Sequence, residues 1–298
     1  MSLVVALHEG LSLVLPGAAG GTDRGAADRG GAGQIAAEGE GAARAYPTAR
    51  LQKGVLLFDG PWDLAEEGVG FGVPVLKCGV QAVFAGGVDV EARDEGPVCT
   101  VRAVYRMDLV ERLAGAGGET VAPRPLYAAK DALAALHRRV PAVRGLLTAT
   151  SSALRRHFGW ETVYVPAGLK AEVPVTSAVD RRDGSVRVEV DLAGLPGDVT
   201  EVAVMNEQGA RAFDRFEDSG GAVLHGDAIG TWDEVTAAGA RFVSPAYRVA
   251  FSMEPVDGAA LHRGRELVGA RLAWAGFGLT VPAGRCGLTY ELRVGRTR

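Results

Sequence analysis

The sequence predicts a mainly β chain, a large antiparallel β-sandwich with one helical insertion at about 126–158. Three observations predict it. Short apolar runs alternate with polar residues, as in Val186-Arg187-Val188-Glu189-Val190-Asp191-Leu192, which gives a strand one dry face and one wet face. Gly or Pro punctuates nearly every junction between such runs. The regular strand–helix alternation that a parallel α/β enzyme needs is absent. With 298 residues, 47% of them hydrophobic, the chain can bury a substantial core in one large or two ordinary domains.

In chain order, Val4–Leu7 and Leu11–Leu15 read as two short strands turning at Glu9-Gly10, an N-terminal hairpin over 1–16. Residues 17–43 are Gly, Ala, Asp and Arg with few large apolar side chains, the composition of a flexible insertion. The sandwich domain is expected over 44–298. It opens with the apolar run Val55–Phe58, closed by Asp59-Gly60-Pro61. Gly68, Gly70 and Gly72 then alternate. No helix follows them and Pro74 intervenes, so they do not make a phosphate loop; they predict close approach of another backbone or a ring. Val88–Ala92 and Cys99–Leu109 alternate cleanly. From Leu126 the period becomes helical, with Leu126, Ala129, Leu133, Leu136 and Val140 on one stripe; Pro141 kinks it, and the stripe resumes toward Phe158. Strands return at Thr162–Val165, 186–192, Val202–Met205, Ala222–Leu224, Arg241–Val243, Tyr247–Met253, Leu272–Trp274 and Leu288–Val294.

Composition excludes several functions. The formal charge is −4 and no long basic run occurs, which argues against nucleic acid as a partner. Arg138-Arg139 and Arg155-Arg156 read as a solvated helix face. Cys78, Cys99 and Cys286 form no disulfide framework and no CxxC, so a reduced, cytoplasmic setting is expected. The N-terminus is interrupted by His8, Glu9 and Gly10 and lacks a basic start, so no signal peptide is expected. No stretch approaches the roughly 18–20 apolar residues of a membrane span.

One stretch, Val204–Ser244, is denser than the rest in acids, turn glycines and aromatics. Its carboxylates Asp214, Glu217, Asp218, Asp227, Asp233 and Glu234 can take hydrogen bonds from sugar hydroxyls, or hold Ca²⁺ through oxygen. Two that converge across a cleft act as acid and base. Asp218-Ser219-Gly220-Gly221 is also turn chemistry, in which Asp218 caps the turn. Trp232 lies between Thr231 and Asp233 and is expected to be exposed, where it stacks on a sugar face; Phe213 and Phe216 are expected in the core. His225, near Asp227, is the best-placed general acid or base, whereas His262 beside Arg263 reads as surface. Trp62, Asp63, Glu66 and Glu67 follow a strand end and read as a short helical turn; Glu66 is a candidate second wall of the same cleft.

The long β chain from Tyr46 to Arg298, with acids and aromatics in its connections, resembles the large two-sheet sandwiches of the galactose-mutarotase and polysaccharide-lyase type. That resemblance implies sugar binding; no catalytic residue is carried over from it. The expected function is therefore binding or processing of a carbohydrate-like polar ligand at the loops of 206–234, with no cofactor unless Ca²⁺. Asp214, Glu217, His225 and Asp227 are the catalytic candidates. Asp218, Trp232, Asp233, Glu234 and Glu66 are the ligand-binding candidates. The rival is a structural or protein-interaction sandwich without catalysis.

Overall fold

The computed structural model describes residues 3–7, 10–15, 52–66, 68–79, 81–114, 120–121, 161–268 and 272–297. The insertion expected at 17–43, the helix expected at 126–158 and Glu67 lie outside them. The described chain is mainly β, and every strand pair is antiparallel. Among the described residues no helix is long and apolar enough to cross a membrane.

A first sheet takes β1 (Leu3–Ala6), β2 (Leu11–Leu15), β3 (Leu56–Asp59) and β4 (Trp62–Asp63) in that order. The second has fifteen strands. They are β5 (Gly70–Cys78), β6 (Gln81–Glu95), β7 (Val98–Ala114), β8 (Thr120–Val121), β9 (Glu161–Asp180), β10 (Ser185–Asp191), β11 (Glu201–Gly209), β12 (Arg215–Asp218), β13 (Val223–His225), β14 (Thr231–Glu234), β15 (Ala240–Ser244), β16 (Val249–Met253), β17 (Ala260–Val268), β18 (Leu272–Pro282) and β19 (Gly287–Arg296). Their order is β13-β12-β15-β16-β19-β10-β9-β7-β6-β5-β11-β18-β17-β14, with β8 on β7. The two end strands, β13 and β14, are neighbours in sequence, joined by the 3-10 turn Gly226–Ile229. The stretch 204–244 therefore holds both ends of the sheet.

Alternation builds most strands. In β10, Val186, Val188 and Val190 are buried and Arg187, Glu189 and Asp191 are exposed. The core forms between strands far apart in sheet order. The rings of Phe71 on β5 and Phe251 on β16 have centroids 5.3 Å apart, and those of Phe242 on β15 and Phe277 on β18 are 4.9 Å apart. Arg263 on β17 places its guanidinium 5.0 Å from the Phe216 ring on β12. Side chains from strands far apart in the sheet order thus share one core.

Strand β11 breaks the alternation, because both of its faces are covered. Asn206, Glu207 and Gln208 are all buried. Asn206 Oδ1 accepts from Gly72 N at 3.1 Å and from the Tyr290 hydroxyl at 2.9 Å. Gln208 reaches the other sheet: its Oε1 accepts from Leu57 N at 3.1 Å, and its Nε2 donates to Val55 O at 3.3 Å. Arg296 adds a second tie, donating to both Asp59 oxygens at 2.9 and 2.7 Å and holding that carboxyl below its usual range. Gly68 and Gly70 serve as expected, whereas Gly72 faces the side chains of Val188, Val175 and Ser177. A Cβ on Gly68 would lie 2.8 Å from the Gln208 backbone, and one on Gly70 2.8 Å from the Val55 carbonyl. Gln208→Ala strands the buried Leu57 N–H, whereas Val55 O keeps its bond from Phe71 N at 2.9 Å. It is expected to cost about 1–3 kcal/mol, seen as a lower urea midpoint at unchanged slope.

Candidate functional site

The carboxylates of 214–234 are spread along the seam where the sheet's ends meet. Asp214 is exposed, and its carbonyl accepts from Gly226 N at 2.8 Å. Glu217 is clamped between Arg215 and Arg241, the latter donating from Nε at 2.6 Å. Asp218 caps its own turn, accepting from Gly220 N at 2.9 Å and Ala222 N at 3.0 Å. Asp227 is fully exposed, 3.5 Å from Arg265 Nη1. Asp233 lies 3.8 Å from Arg263 Nη2, and Glu234 and His225 are exposed. Glu66 pairs with Arg211 at 2.8 Å. The expected helical turn at 62–66 is instead the short strand β4 followed by a turn, in which Asp63 Oδ1 accepts from Ala65 N and Glu66 N at 2.8 and 3.1 Å.

Of these residues, Glu217 and Asp218 share a cavity. It has a volume of about 650 Å³ and lies over β12, β15, β16 and β19. Its charged lining is Glu217, Asp218, Arg241, Glu254, Glu291 and Arg293. Much of that charge is already paired: Arg241 with Glu217, and Arg293 with Glu291 at 2.9 Å. Among the described residues no three His, Cys, Asp or Glu side chains are arranged to hold a metal ion.

Trp232 leads elsewhere. It is half-buried rather than exposed. It is the extra residue of a bulge, since Thr231 pairs with Gly264 and Asp233 with Arg263, and its φ is 72°. That bulge turns the indole onto the sheet. A Cβ on Gly278 would collide with its benzo ring, and the ring stacks on His262 at 5.3 Å and 7°. His262 is thus half-buried, not surface, because alternation puts Arg263 on the other face, over Phe216. Its Nε2 lies 3.0 Å from Thr280 Oγ1.

The face of β11, β18 and β17 turned away from the phenylalanines holds the most unusual carboxyl of the described chain. One row across the strands reads Gly70, Glu207, Gly276, Gly264, Thr231. Glu207 therefore has glycine on both neighbouring strands, where a Cβ would meet backbone: 2.8 Å from the Val55 carbonyl at Gly70, and closer still to the Asn206 carbonyl at Gly276. A second indole borders the row: a Cβ on Gly264 would lie 2.6 Å from Trp274 Cη2. Trp274 Nε1 donates to Glu266 Oε2 at 3.3 Å. Glu207 is only 6% exposed. Burial, with the Glu266 charge adding to it, pushes its carboxyl up to about 8 against one backbone hydrogen bond from Val69. Tyr164 on β9 also neighbours it; burial first, then the charges of Glu111 and Glu207, push that phenol up. Tyr164 packs edge-on against Phe84 at 5.2 Å.

Sequence reasoning passed over Glu207, Glu266, Trp274 and His262 as site residues. One signal was present: Asn206-Glu207-Gln208 is a polar triplet continuing the apolar run Val202–Met205. A polar run inside a strand requires partners on both faces.

No family model and no curated protein matches this sequence. Among solved structures, the chain is similar to the α-N-acetylgalactosaminidase NagBb from Bifidobacterium bifidum. Its Gal-NHAc-DNJ complex is 12% identical with a TM-score of 0.47, and its GalNAc complex 11% identical with a TM-score of 0.46. Each match covers 99% of this chain and 36% of NagBb, so the chain spans about a third of that protein's length. The structure titled HI1317 is 5% identical, with a TM-score of 0.32 and 99% of both chains covered. These scores fall below the level from which a shared fold follows.

Proposed function

We propose that the protein is a two-layered sandwich that binds a carbohydrate-like polar ligand on the β11–β18–β17 face, with Glu207 as its proton carrier. The observation that carries this reading is the Glu207 carboxyl itself. It is buried, flanked by glycines and bordered by an indole, and it is held near neutrality. A carboxyl near 8 keeps its proton at pH 7 and can give it to a ligand oxygen or take one back. Trp274 and Trp232 supply ring surface, and Glu266 and Thr280 supply hydrogen-bonding oxygens. Trp232 is among the ligand-binding candidates expected from sequence; Glu207, on strand β11, is not. The interaction reading has less support, because among the described residues the exposed large apolar side chains Val4, Trp62, Val223 and Leu267 sit on four different strands.

A thermal-shift screen against neutral sugars, amino sugars and sugar phosphates tests the proposal, with Ca²⁺ and EDTA arms for the metal alternative. A ligand at ~100 times its Kd adds about 2.7 kcal/mol. Trp274→Ala is expected to weaken the ligand about tenfold, or roughly 1.4 kcal/mol, while Asp214→Asn leaves it unchanged. A panel without any shift, or a shift that survives Trp274→Ala and disappears in Asp214→Asn, overturns this location.

A further inference from the structure

We infer that the cavity over β12, β15, β16 and β19 is a second binding site, and that it takes a neutral, hydroxyl-rich ligand of disaccharide size. The cavity shares no residue with the Glu207 face, and the inference does not rest on the reading of that face. Strand β16 builds the floor: Phe251 and Met253 are buried in the core, which turns Ser252 outward between them. Strand pairing then sets one row, with Glu217 beside Arg241, Arg241 beside Ser252, and Ser252 beside Arg293. All of them line the cavity, with Glu254 and Glu291 along the row. Adjacent strands from β12 to β19 are three spacings apart, about 14 Å in all. The volume of about 650 Å³ is that of a small-molecule site. Gly239 leaves the floor open, since a Cβ there would meet only Glu254 Cγ, at 3.8 Å. Pro255 and Val256 add an apolar edge.

The charges along this row come in pairs that are already formed. Arg241 donates from Nε to Glu217 at 2.6 Å, and Arg293 from Nε to Glu291 at 2.9 Å. A guanidinium carries five N–H donors and a carboxylate two accepting oxygens, so both members of a pair can bond a ligand while keeping each other. A sugar hydroxyl both donates and accepts. Two neighbouring hydroxyls accept from a guanidinium and donate to its carboxylate, and the Ser252 hydroxyl does either. The pairing orients these groups before the ligand arrives, which lowers the ordering cost of binding. A net charge on the ligand gains nothing comparable. Neighbouring strands lie about 4.8 Å apart. An anion drawn to Arg241 or Arg293 therefore meets Glu217, Glu254 or Glu291 within one or two strands, and a cation drawn to those carboxylates meets the arginines. A neutral polyol uses donors and acceptors alike.

Isothermal titration of the full chain with lactose, maltose and cellobiose, against glucose, glucuronate and glucosamine, tests this. At least one disaccharide is expected to bind about tenfold tighter than glucose, and neither charged sugar to bind tighter than glucose. Gly239→Phe fills the open floor at a position whose φ lies outside the left-handed region, and it is expected to abolish disaccharide binding with an unchanged melting curve. Arg293→Gln changes an exposed pair and decides the matter if Gly239→Phe fails to fold; it is expected to weaken the disaccharide about fivefold to tenfold. Trp274→Ala, on the other face, is expected to leave disaccharide binding within about twofold. Binding that persists in both Gly239→Phe and Arg293→Gln overturns the location. Binding that persists there and disappears in Trp274→Ala also assigns the sugar to the Glu207 face, in support of that reading. Glucuronate or glucosamine binding at least as tightly as the disaccharides overturns the neutral character of the ligand. Silence from all three disaccharides overturns the inference, while the Glu207 face stands or falls by its own Trp274→Ala comparison.

Discussion

Glu207→Gln is expected to raise the melting temperature at pH 8 and leave it nearly unchanged at pH 5. The carboxyl is pushed up to about 8 in the folded chain, first by burial and then by the charge of Glu266, from an ordinary value of 4.5. In the unfolded chain the same group loses its proton near that ordinary value. Between the two values the folded state binds a proton that the unfolded state does not. Stability contributed by this group is therefore fully present below 4.5, falls as pH rises through the window, and levels off above 8. Glutamine has nearly the same shape and carries no proton in either state. The slope is about 1.36 kcal/mol per pH unit inside the window, so the variant gains on the order of 4 kcal/mol by pH 8. For a chain this long that corresponds to a melting shift on the order of 10 °C or less. Calorimetry of both proteins at half-unit steps from pH 5 to 8 reads it directly. Parallel curves would mean that Glu207 titrates as an ordinary exposed carboxyl, and its role as proton carrier would fall with that result.

The same residue illustrates what a sequence can and cannot convey. Alternation found the strands: Leu288–Val294 falls within β19, Cys99–Leu109 within β7, and 186–192 lies in β10 but for Leu192, one residue past its end. Composition placed Phe213 and Phe216 in the core, and both are fully buried. Strand order is another matter. Nothing local states that β11 lies between β5 and β18, because that order is set by pairings between distant parts of the chain, such as Met205 with Val73 on one side and Gly278 on the other. A strand covered on both faces loses its alternation, so β11 offered only an apolar run and a polar triplet. The acids of 214–234 stood out in the sequence because turns are rich in Asp and Glu. In the fold, Asp218 caps a turn, Glu217 is occupied by two arginines, and Asp214 faces solvent. Trp232 was picked out for its polar neighbours; the bulge that turns its ring onto Gly278 and His262 depends on pairing with β17, which no window of sequence contains.

Phe251→Ala is expected to be the most damaging single truncation in the core. Its ring lies in the core that strands far apart in the sheet order share. The centroids of Phe71 on β5, Phe213 after β11, Phe242 on β15 and Phe277 on β18 lie 5.3, 4.9, 5.5 and 5.8 Å away. Phe71 and Phe277 sit on strands far from β16 in the sheet order and Phe242 on its neighbour, so the lost ring is a contact between distant strands. The surrounding rings are fully or almost fully buried, and all but Phe213 are pinned by their own strands, which limits collapse into the void. Removing a buried phenylalanine ring in such a setting costs about 3–5 kcal/mol, the transfer term plus the cavity term. Phe251→Leu refills most of the volume and is expected to recover more than half of that loss. The comparison separates packing from proton linkage, because the Phe251 variants should lose stability equally at pH 5 and pH 8. It also tests the sheet order itself. If β16 did not face β5 and β18, truncating Phe251 would cost no more than truncating a phenylalanine that touches one neighbour, and a urea midpoint close to that of the wild type would show it.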